Sequence, residues 1–455
     1  MPTQRTREKC RLESVEPISL ERNVRQLLAQ KISGNLVGLW LLIPEHLRLG
    51  TWDLLRGWTG QPTQALEPRL ALQLVAEAAL CVSGLRHQRS LSQNGFEVAN
   101  GLPFIATDQV LHELLAAPTM AQAQALQTAL GKIRRASHHF QGRLLALDPH
   151  RLKSSSQRQM RRRQLTGQTK PRKVSQTFFC LDADTQQPIC FTLGTSARTV
   201  AQATPELLGL AQSILCPARG QTLVVADSEH FTAGLIDQVK QHTPFDLLVP
   251  MPKQPAIQKK LAAIPAQEFT PRWAGFATAK RPYQLAEGQT GPDYQLIQRC
   301  GERAQEYRYT AFLATTDLPE AEALALEFPK RWHIEQFFDN DQALGWQRAG
   351  TLNLNIRYGS MTMALLAQAA LYQMRQRVGA PVKDWDARHL AQAWLGGLEG
   401  DVRVEQDTIV VTFYNAPHAA AWKEHYEGLP ARLQAEHIDP RVPWLYNFKL
   451  DFRFR

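Results

Sequence analysis

The chain has 455 residues, 44% of them hydrophobic and 21% charged; this is near the globular average and excludes a disordered chain. At about 100–200 residues per domain there is room for two to four domains. The net charge of +10 is unevenly spread: residues 132–173 hold 13 Lys/Arg and one acid, Asp148, while the rest of the chain has 39 basic and 41 acidic residues.

A basic excess confined to one stretch points to a polyanionic partner, because neutralising phosphates releases condensed counterions. The six cysteines (10, 81, 180, 190, 216 and 300) form no CxxC pair and have no regular spacing. That argues against a zinc site or a disulfide framework and predicts a reducing, cytoplasmic setting. The first residues lack an apolar signal core. The most apolar helical stretch, 361–374, is interrupted by Gln368 and Gln373 and is too short to cross a bilayer.

Along the chain, residues 15–150 read as helical and predict an N-terminal helical, DNA-binding domain over 1–150. Apolar residues interleave with polar ones over 20–43 and recur at helical spacing over 70–81. Residues 90–115 hold two short helix candidates separated by Gly101 and Pro103, with Thr107 or Asp108 as a cap for the second. A helix-turn-helix or an ordinary bundle would both suit them. Residues 151–173 carry nine Lys/Arg and no acid among Ser, Gln and Gly, and read as a flexible basic linker. Lys153, Arg158, Arg161, Arg162 and Arg163 are its candidate DNA contacts.

Beyond the linker the texture becomes α/β. TFFCLD (177–182) and PICFTL (188–193) predict two strands joined by a turn. Helix is expected over 203–215. TLVVAD (222–227) is a β-branched strand ending in Asp227, followed by helix and by the strand DLLVP (246–250). Such alternation predicts a mixed sheet with buried central strands. From 251 to 308 short runs with Pro, Gly, Tyr and Trp suggest a β-rich insertion. YTAFLAT (309–315) then re-enters the main fold, with helices over 319–346 and 357–378. The expected catalytic domain is 174–380, and the C-terminal segment is 381–455. That tail should hold a strand at 408–415 and a helix over 422–436.

Three carboxylates stand out. Asp182 and Asp227 each close an apolar run, and the carboxyl ends of strands line the crevice of an α/β sheet. Two such carboxylates side by side repel unless a cation compensates. Mg²⁺ or Mn²⁺, with oxygen ligands, would do so. The third is Glu335, on a helix that Pro329 can begin. Arg331, Glu335 and Gln342 lie near one face of it, and an Arg one turn before a metal-binding Glu can hold a phosphate. Asp184 remains the alternative to Asp182, because in a continuing strand both face one side. His230 and His333 lie near the acidic positions in sequence. Two ions about 3.5–4 Å apart, held by a few carboxylates, are what in-line phosphodiester displacement requires.

In this order the residues resemble the DDE transposases of bacterial insertion sequences, the cut-and-paste group with a Tyr-Arg-Glu-Lys signature. The signature positions read Phe328, Arg331, Glu335 and Gln342, so the hydroxyl of the first and the charge of the last are missing. VVADSEHFTAGLIDQV and AFLATTDL are similar to the family's second-aspartate block and to its strand before the glutamate helix. The resemblance spans about 175–375. It implies a ribonuclease H-like catalytic domain with a β-rich insertion, two Mg²⁺ or Mn²⁺ on Asp182, Asp227 and Glu335, and cleavage at transposon ends followed by joining to target DNA. It also implies a homodimer on DNA, and an insertion-domain aromatic that stacks on a displaced base, for which Trp273 is the candidate. A nuclease of the same fold that never joins DNA, or a non-catalytic DNA-binding descendant, remains an alternative.

Overall fold

The computed structural model describes residues 17–34, 36–82, 94–154, 159, 162–164, 169–285, 287–288, 290–346, 353–414 and 416–455. They form two compact units. One combines Met1–Leu130 with Asp339–Arg455, and the other is Gly131–Phe338.

The first unit begins with the helix Pro17–Leu28 and a short strand, β1 (Ile32–Gly34). The sequence over 20–43 reads as helical. Instead β1 pairs with residues 400–402, and Leu36 turns the chain through a left-handed conformation (φ 66°) before the 3-10 turn Val37–Leu42. The apolar residues on either side are buried as a helix would bury them, so periodicity alone hides the break. Helices Thr51–Thr59 and Glu67–Ala79 follow, the second opened by Glu67 and Pro68, which suit a first turn. The two helices of 90–115 are Asn94–Ala99 and Asp108–Ala116. Phe96, Val98 and Ala99 of the first are buried, as are Val110, Leu111, Leu114 and Leu115 of the second.

The second unit is built on one ten-stranded sheet, in the order β3-β4-β2-β6-β7-β11-β10-β9-β8, with β5 also on β4. The strands are β2 (Leu144–Lys153), β3 (Arg162–Arg163), β4 (Arg172–Asp182), β5 (Gln187–Thr195), β6 (Leu223–Val225), β7 (Asp246–Pro250), β8 (Thr270–Trp273), β9 (Phe276–Tyr283), β10 (Asp293–Cys300) and β11 (Arg308–Ala314). β2, β4 and β5 are antiparallel neighbours. β6 runs parallel to both β2 and β7, joined to β7 by the helix Ala233–His242. Residues 251–308 supply the helix Pro255–Ala262 and strands β8–β10, which extend the sheet beyond β11.

Side chains alternate across these strands. Leu145 and Leu147 of β2, with Phe178 and Cys180 of β4, join the core that contains Val200, Ala203, Leu207, Leu208, Ala211 and Ile214 of the helix Val200–Leu215. Thr199 starts that helix with a reciprocal capping box to Gln202. Asp148 and His150 of β2 and Phe179 of β4 therefore belong to the opposite face.

Two expectations need correcting. The described parts of the segment 151–173 include sheet residues: β2 runs to Lys153, and β3 pairs with the start of β4. They do not mark a join between domains, because Gly131–Phe338 is one unit. Nor is 1–150 a separate helical domain, since 144–150 belong to the sheet and residues up to 130 share a core with the C-terminal part.

That part contributes the long helix Leu354–Val378, buried along most of its length. It also contributes β12 (Gly400–Glu405), β13 (Thr408–Phe413), β14 (Arg441–Val442) and β15 (Phe448–Phe454). With β1 these make a five-stranded sheet in the order β1-β12-β13-β15-β14. The tail helix expected over 422–436 is two helices, Ala419–Tyr426 and Leu429–Ala435, parted by Gly428 at φ 69°. No described helix is long and apolar enough to cross a membrane.

Candidate active site

Parallel pairing of β2 with β6 sets Leu144 opposite Leu223, Leu145 opposite Val224 and Ala146 opposite Val225. Two residues further in that register, Asp148 comes opposite Asp227. Asp148 lies midway along β2 and Asp227 just past the end of β6, each with a side chain 27% exposed. Burial pushes the Asp148 carboxyl up to about 6, and the negative charge of Asp227 adds to the rise, against the pull of Arg331, His230 and Arg151. Asp227 is also partly buried, which raises it. The bond and charge of His230, the Glu229 N–H and Arg331 outweigh that and hold it below the usual carboxylate range.

The turn after β6 is built around Asp227. Its Oδ1 accepts the Glu229 N–H at 3.0 Å and pairs with His230 Nδ1 at 2.8 Å. Glu229 itself is clamped by Arg151 of β2, whose two terminal nitrogens donate to its two carboxylate oxygens at 2.7 and 2.6 Å.

Helical turns from Ala323 to Trp332 lead into the helix His333–Asp341. Arg331 Nη1 donates to Asp148 Oδ1 at 3.2 Å. Two turns on, Phe338 stacks on His150 at 4.1 Å and meets Phe179 edge-on at 5.0 Å. Phe179 is the cross-strand neighbour of Asp148. The helix therefore lies over this face of β2 and β4, pinned at Arg331 and Phe338. Glu335 falls between those two on the same helical face, and it is exposed. Ile334 and Phe337 are buried beside it, whereas Trp332 is 53% exposed.

Asp182 does not join this group, which corrects its assignment as the first carboxylate. It closes β4, but β4 runs antiparallel to β2, so Asp182 sits opposite Leu145, about 10 Å back along β2 from Asp148 at ~3.3 Å per residue. It is fully buried and accepts bonds from Gly142 N (2.7 Å), Thr185 N (2.9 Å) and the Thr185 hydroxyl (3.0 Å). That is a turn-forming carboxylate. Asp184 is taken up by Lys330 (2.8 Å) and Arg143 (3.1 Å), which also pair with Glu327. Asp148 was missed although LLALD (144–148) ends an apolar run just as TLVVAD does; its place inside the basic stretch concealed it.

The remaining candidates are scattered. His333 Nδ1 lies 2.5 Å from the Ala183 carbonyl oxygen, so it supports a loop. Phe328 packs edge-on against Phe312. Gln342 belongs to the other unit. Lys153 and Arg162 are exposed, whereas Arg163 donates to the Ser196 and Arg198 carbonyls. Arg158 and Arg161 lie outside the described residues. Trp273, on the edge strand β8, is 55% exposed and stacks on Phe276 at 4.3 Å.

Among the described residues no three His, Cys, Asp or Glu side chains are gathered into a metal cluster. The pair Asp148 and Asp227 nevertheless fits a divalent cation. Two hard oxygen donors meet in a partly buried place where burial, and then the neighbouring carboxylate, holds one of them above the ordinary carboxylate value.

Fold and site together define a mixed α/β domain with two neighbouring carboxylates, Asp148 and Asp227, under an arginine- and glutamate-bearing helix. Residues 139–368 match the family model described as the transposase DDE domain, and the chain belongs to that family. No curated protein matches it. A solved structure similar to it is the cryo-EM structure of the piggyBac transposase synaptic complex with hairpin DNA. The TM-score is 0.41 at 12% identity, over 81% of this chain and 82% of that one.

Proposed function

We propose that this protein is a DNA transposase that cuts DNA at the ends of its element and joins the freed 3′ ends to target DNA. Asp148, Asp227 and Glu335 are its metal-binding carboxylates. The observation that carries this is the register-matched pair Asp148 and Asp227 beneath Arg331 and Glu335, inside the segment that matches the transposase domain.

The strand order and the direction of β2 and β4–β7 support a ribonuclease H-like core, with β8–β10 as the insertion. Proteins of this family generally use divalent metal ions; two Mg²⁺ or Mn²⁺ would neutralise charge on the attacking and leaving oxygens. The chain's own residues do the rest. Asp148 and Asp227 are fixed on rigid strands, and Glu335 is carried by a helix locked down by Phe338 and Ile334. Arg331 is a positive group within reach of a scissile phosphate beside Asp148. The exposed basic side chains Lys153 and Arg162 are suited to flanking backbone, and Trp273 to an unstacked base. Two copies on paired ends are the expected assembly.

The test is strand cleavage and strand joining on DNA carrying the element's ends, with Mg²⁺ or Mn²⁺. The wild type is compared with Asp148→Asn, Asp227→Asn, Glu335→Gln and Asp182→Asn. Metal-dependent cleavage lost in the first three and kept in the last is the expected result. Normal cleavage by Asp148→Asn would overturn the assignment, and cleavage without joining of pre-cut ends would make the protein a nuclease.

A further inference from the structure

We infer that His230 is a positioning residue for Asp227. Its imidazole fixes one oxygen of that carboxylate so that the other stays available to a divalent cation. This rests on the metal-site reading above and adds a residue to it.

The argument begins with where the bonds fall. His230 Nδ1 and the Glu229 N–H both address Oδ1 of Asp227, at 2.8 and 3.0 Å. Among the described residues no hydrogen bond reaches Oδ2. One oxygen is anchored twice and the other not at all, so the carboxylate plane is set while a ligand position is left open. The anchor is rigid. His230 ends the 3-10 turn Ser228–His230, its own N–H donates to the Asp227 carbonyl at 3.1 Å, and it is only 2% exposed. The backbone loop and the imidazole therefore return to the same residue from two sides.

A side chain serving packing alone would be apolar here, because an imidazole nitrogen in a buried position has to be matched with an acceptor. His230 is matched with one that the site uses. Outer-shell partners that orient a ligating carboxylate typically change metal affinity or activity by about 10–100-fold when removed. Asparagine can place its amide N–H where Nδ1 stands, and leucine fills a similar volume with no donor. The two variants separate the hydrogen bond from the packing.

The experiment measures Mn²⁺ binding to the full chain by electron paramagnetic resonance, for wild type, His230→Leu, His230→Asn and Asp227→Ala. Thermal melting and metal-free binding to end DNA are recorded alongside. His230→Leu should weaken Mn²⁺ binding about 10–100-fold, and His230→Asn should stay within about 3-fold of wild type. Metal-free DNA binding should be unchanged in both. Wild-type Mn²⁺ binding by His230→Leu, or an equal loss in both His230 variants, would overturn the inference. If Asp227→Ala loses the ion while His230→Leu keeps it, only the role of His230 fails; if Asp227→Ala also binds normally, the metal-site reading fails with it.

Discussion

Asp182 ends β4 and Asp148 lies within β2, and their removal should have opposite consequences. Truncating Asp182 to alanine takes the acceptor from the N–H groups of Gly142 and Thr185 and from the Thr185 hydroxyl, all partly buried. A buried donor left unpaired costs about 1–3 kcal/mol, and a partly buried one sits at the low end. The hydroxyl can turn to another acceptor, so the two N–H groups set the loss at about 2 kcal/mol. For a unit of this size that corresponds to a fall in Tm of roughly 5 °C. Asp148→Asn keeps the shape of a half-exposed side chain whose charge burial already disfavours. Its stability should stay within about 1 kcal/mol of wild type. Differential scanning calorimetry supplies the first quantity. Cleavage of end DNA at 25 °C, normalised to folded protein, supplies the second. The reasoning predicts an unstable but cleaving Asp182→Ala and a stable but inert Asp148→Asn. An Asp182→Ala protein that melts like wild type and cannot cut would refute it.

Glu335→Gln should lower the cleavage rate by about 10³-fold, equivalent to ~4 kcal/mol of transition-state stabilisation, without altering DNA affinity in a gel-shift assay. His139 is held neutral, its pKa lowered to about 3 by burial and then by Arg134, whose Nε donates to it. The stability it contributes is complete above the ordinary value of 6.5 and drains away as pH falls towards 3. Between pH 7.5 and 4.5 the wild type should therefore lose about 2–3 kcal/mol more than His139→Gln in urea titrations, and parallel slopes would sink the idea. Gly38→Ala places a methyl 2.0 Å from the Trp394 carbonyl oxygen; it should cost about 3 kcal/mol, and an unchanged melting curve would show that the close approach is not obligatory. Trp273→Ala should leave Tm nearly unchanged but weaken binding to ends with an unpaired base about 5–100-fold, the effect of losing 1–3 kcal/mol of stacking.

Much of the second unit was legible because its strands are short apolar runs with sharp ends. TLVVAD makes β6, DLLVP makes β7, and YTAFLAT makes most of β11. The helical register of 331–338 likewise showed that Arg331 and Glu335 share a face. Strand direction was not legible. TFFCLD and LLALD are equivalent as strings, but in antiparallel neighbours their ends point to opposite sides of the sheet. Only the pairing decides which aspartate stands beside Asp227. Composition misled over 151–173, because charge does not tell whether residues pair in a sheet, and Lys153, Arg162 and Arg163 all lie in strands. β1 is three residues long and is defined by partners near residue 400, and no local pattern announces such an element.

The pairing of Ile32 with Val402 has a bearing on how the chain is made. A ribosome releases roughly 5–20 residues per second, so the N-terminal helices emerge long before the strands that complete their sheet. The unit Gly131–Phe338 is contiguous and can close while synthesis continues, whereas residues before 130 must wait with apolar surfaces uncovered. Such distant contacts fold slowly and expose the chain to aggregation meanwhile. A nascent chain stalled near residue 340 would thus carry a finished sheet with its aspartates in place beside an unfinished partner unit. A clone ending there should yield soluble protein only when the first 130 residues are removed as well.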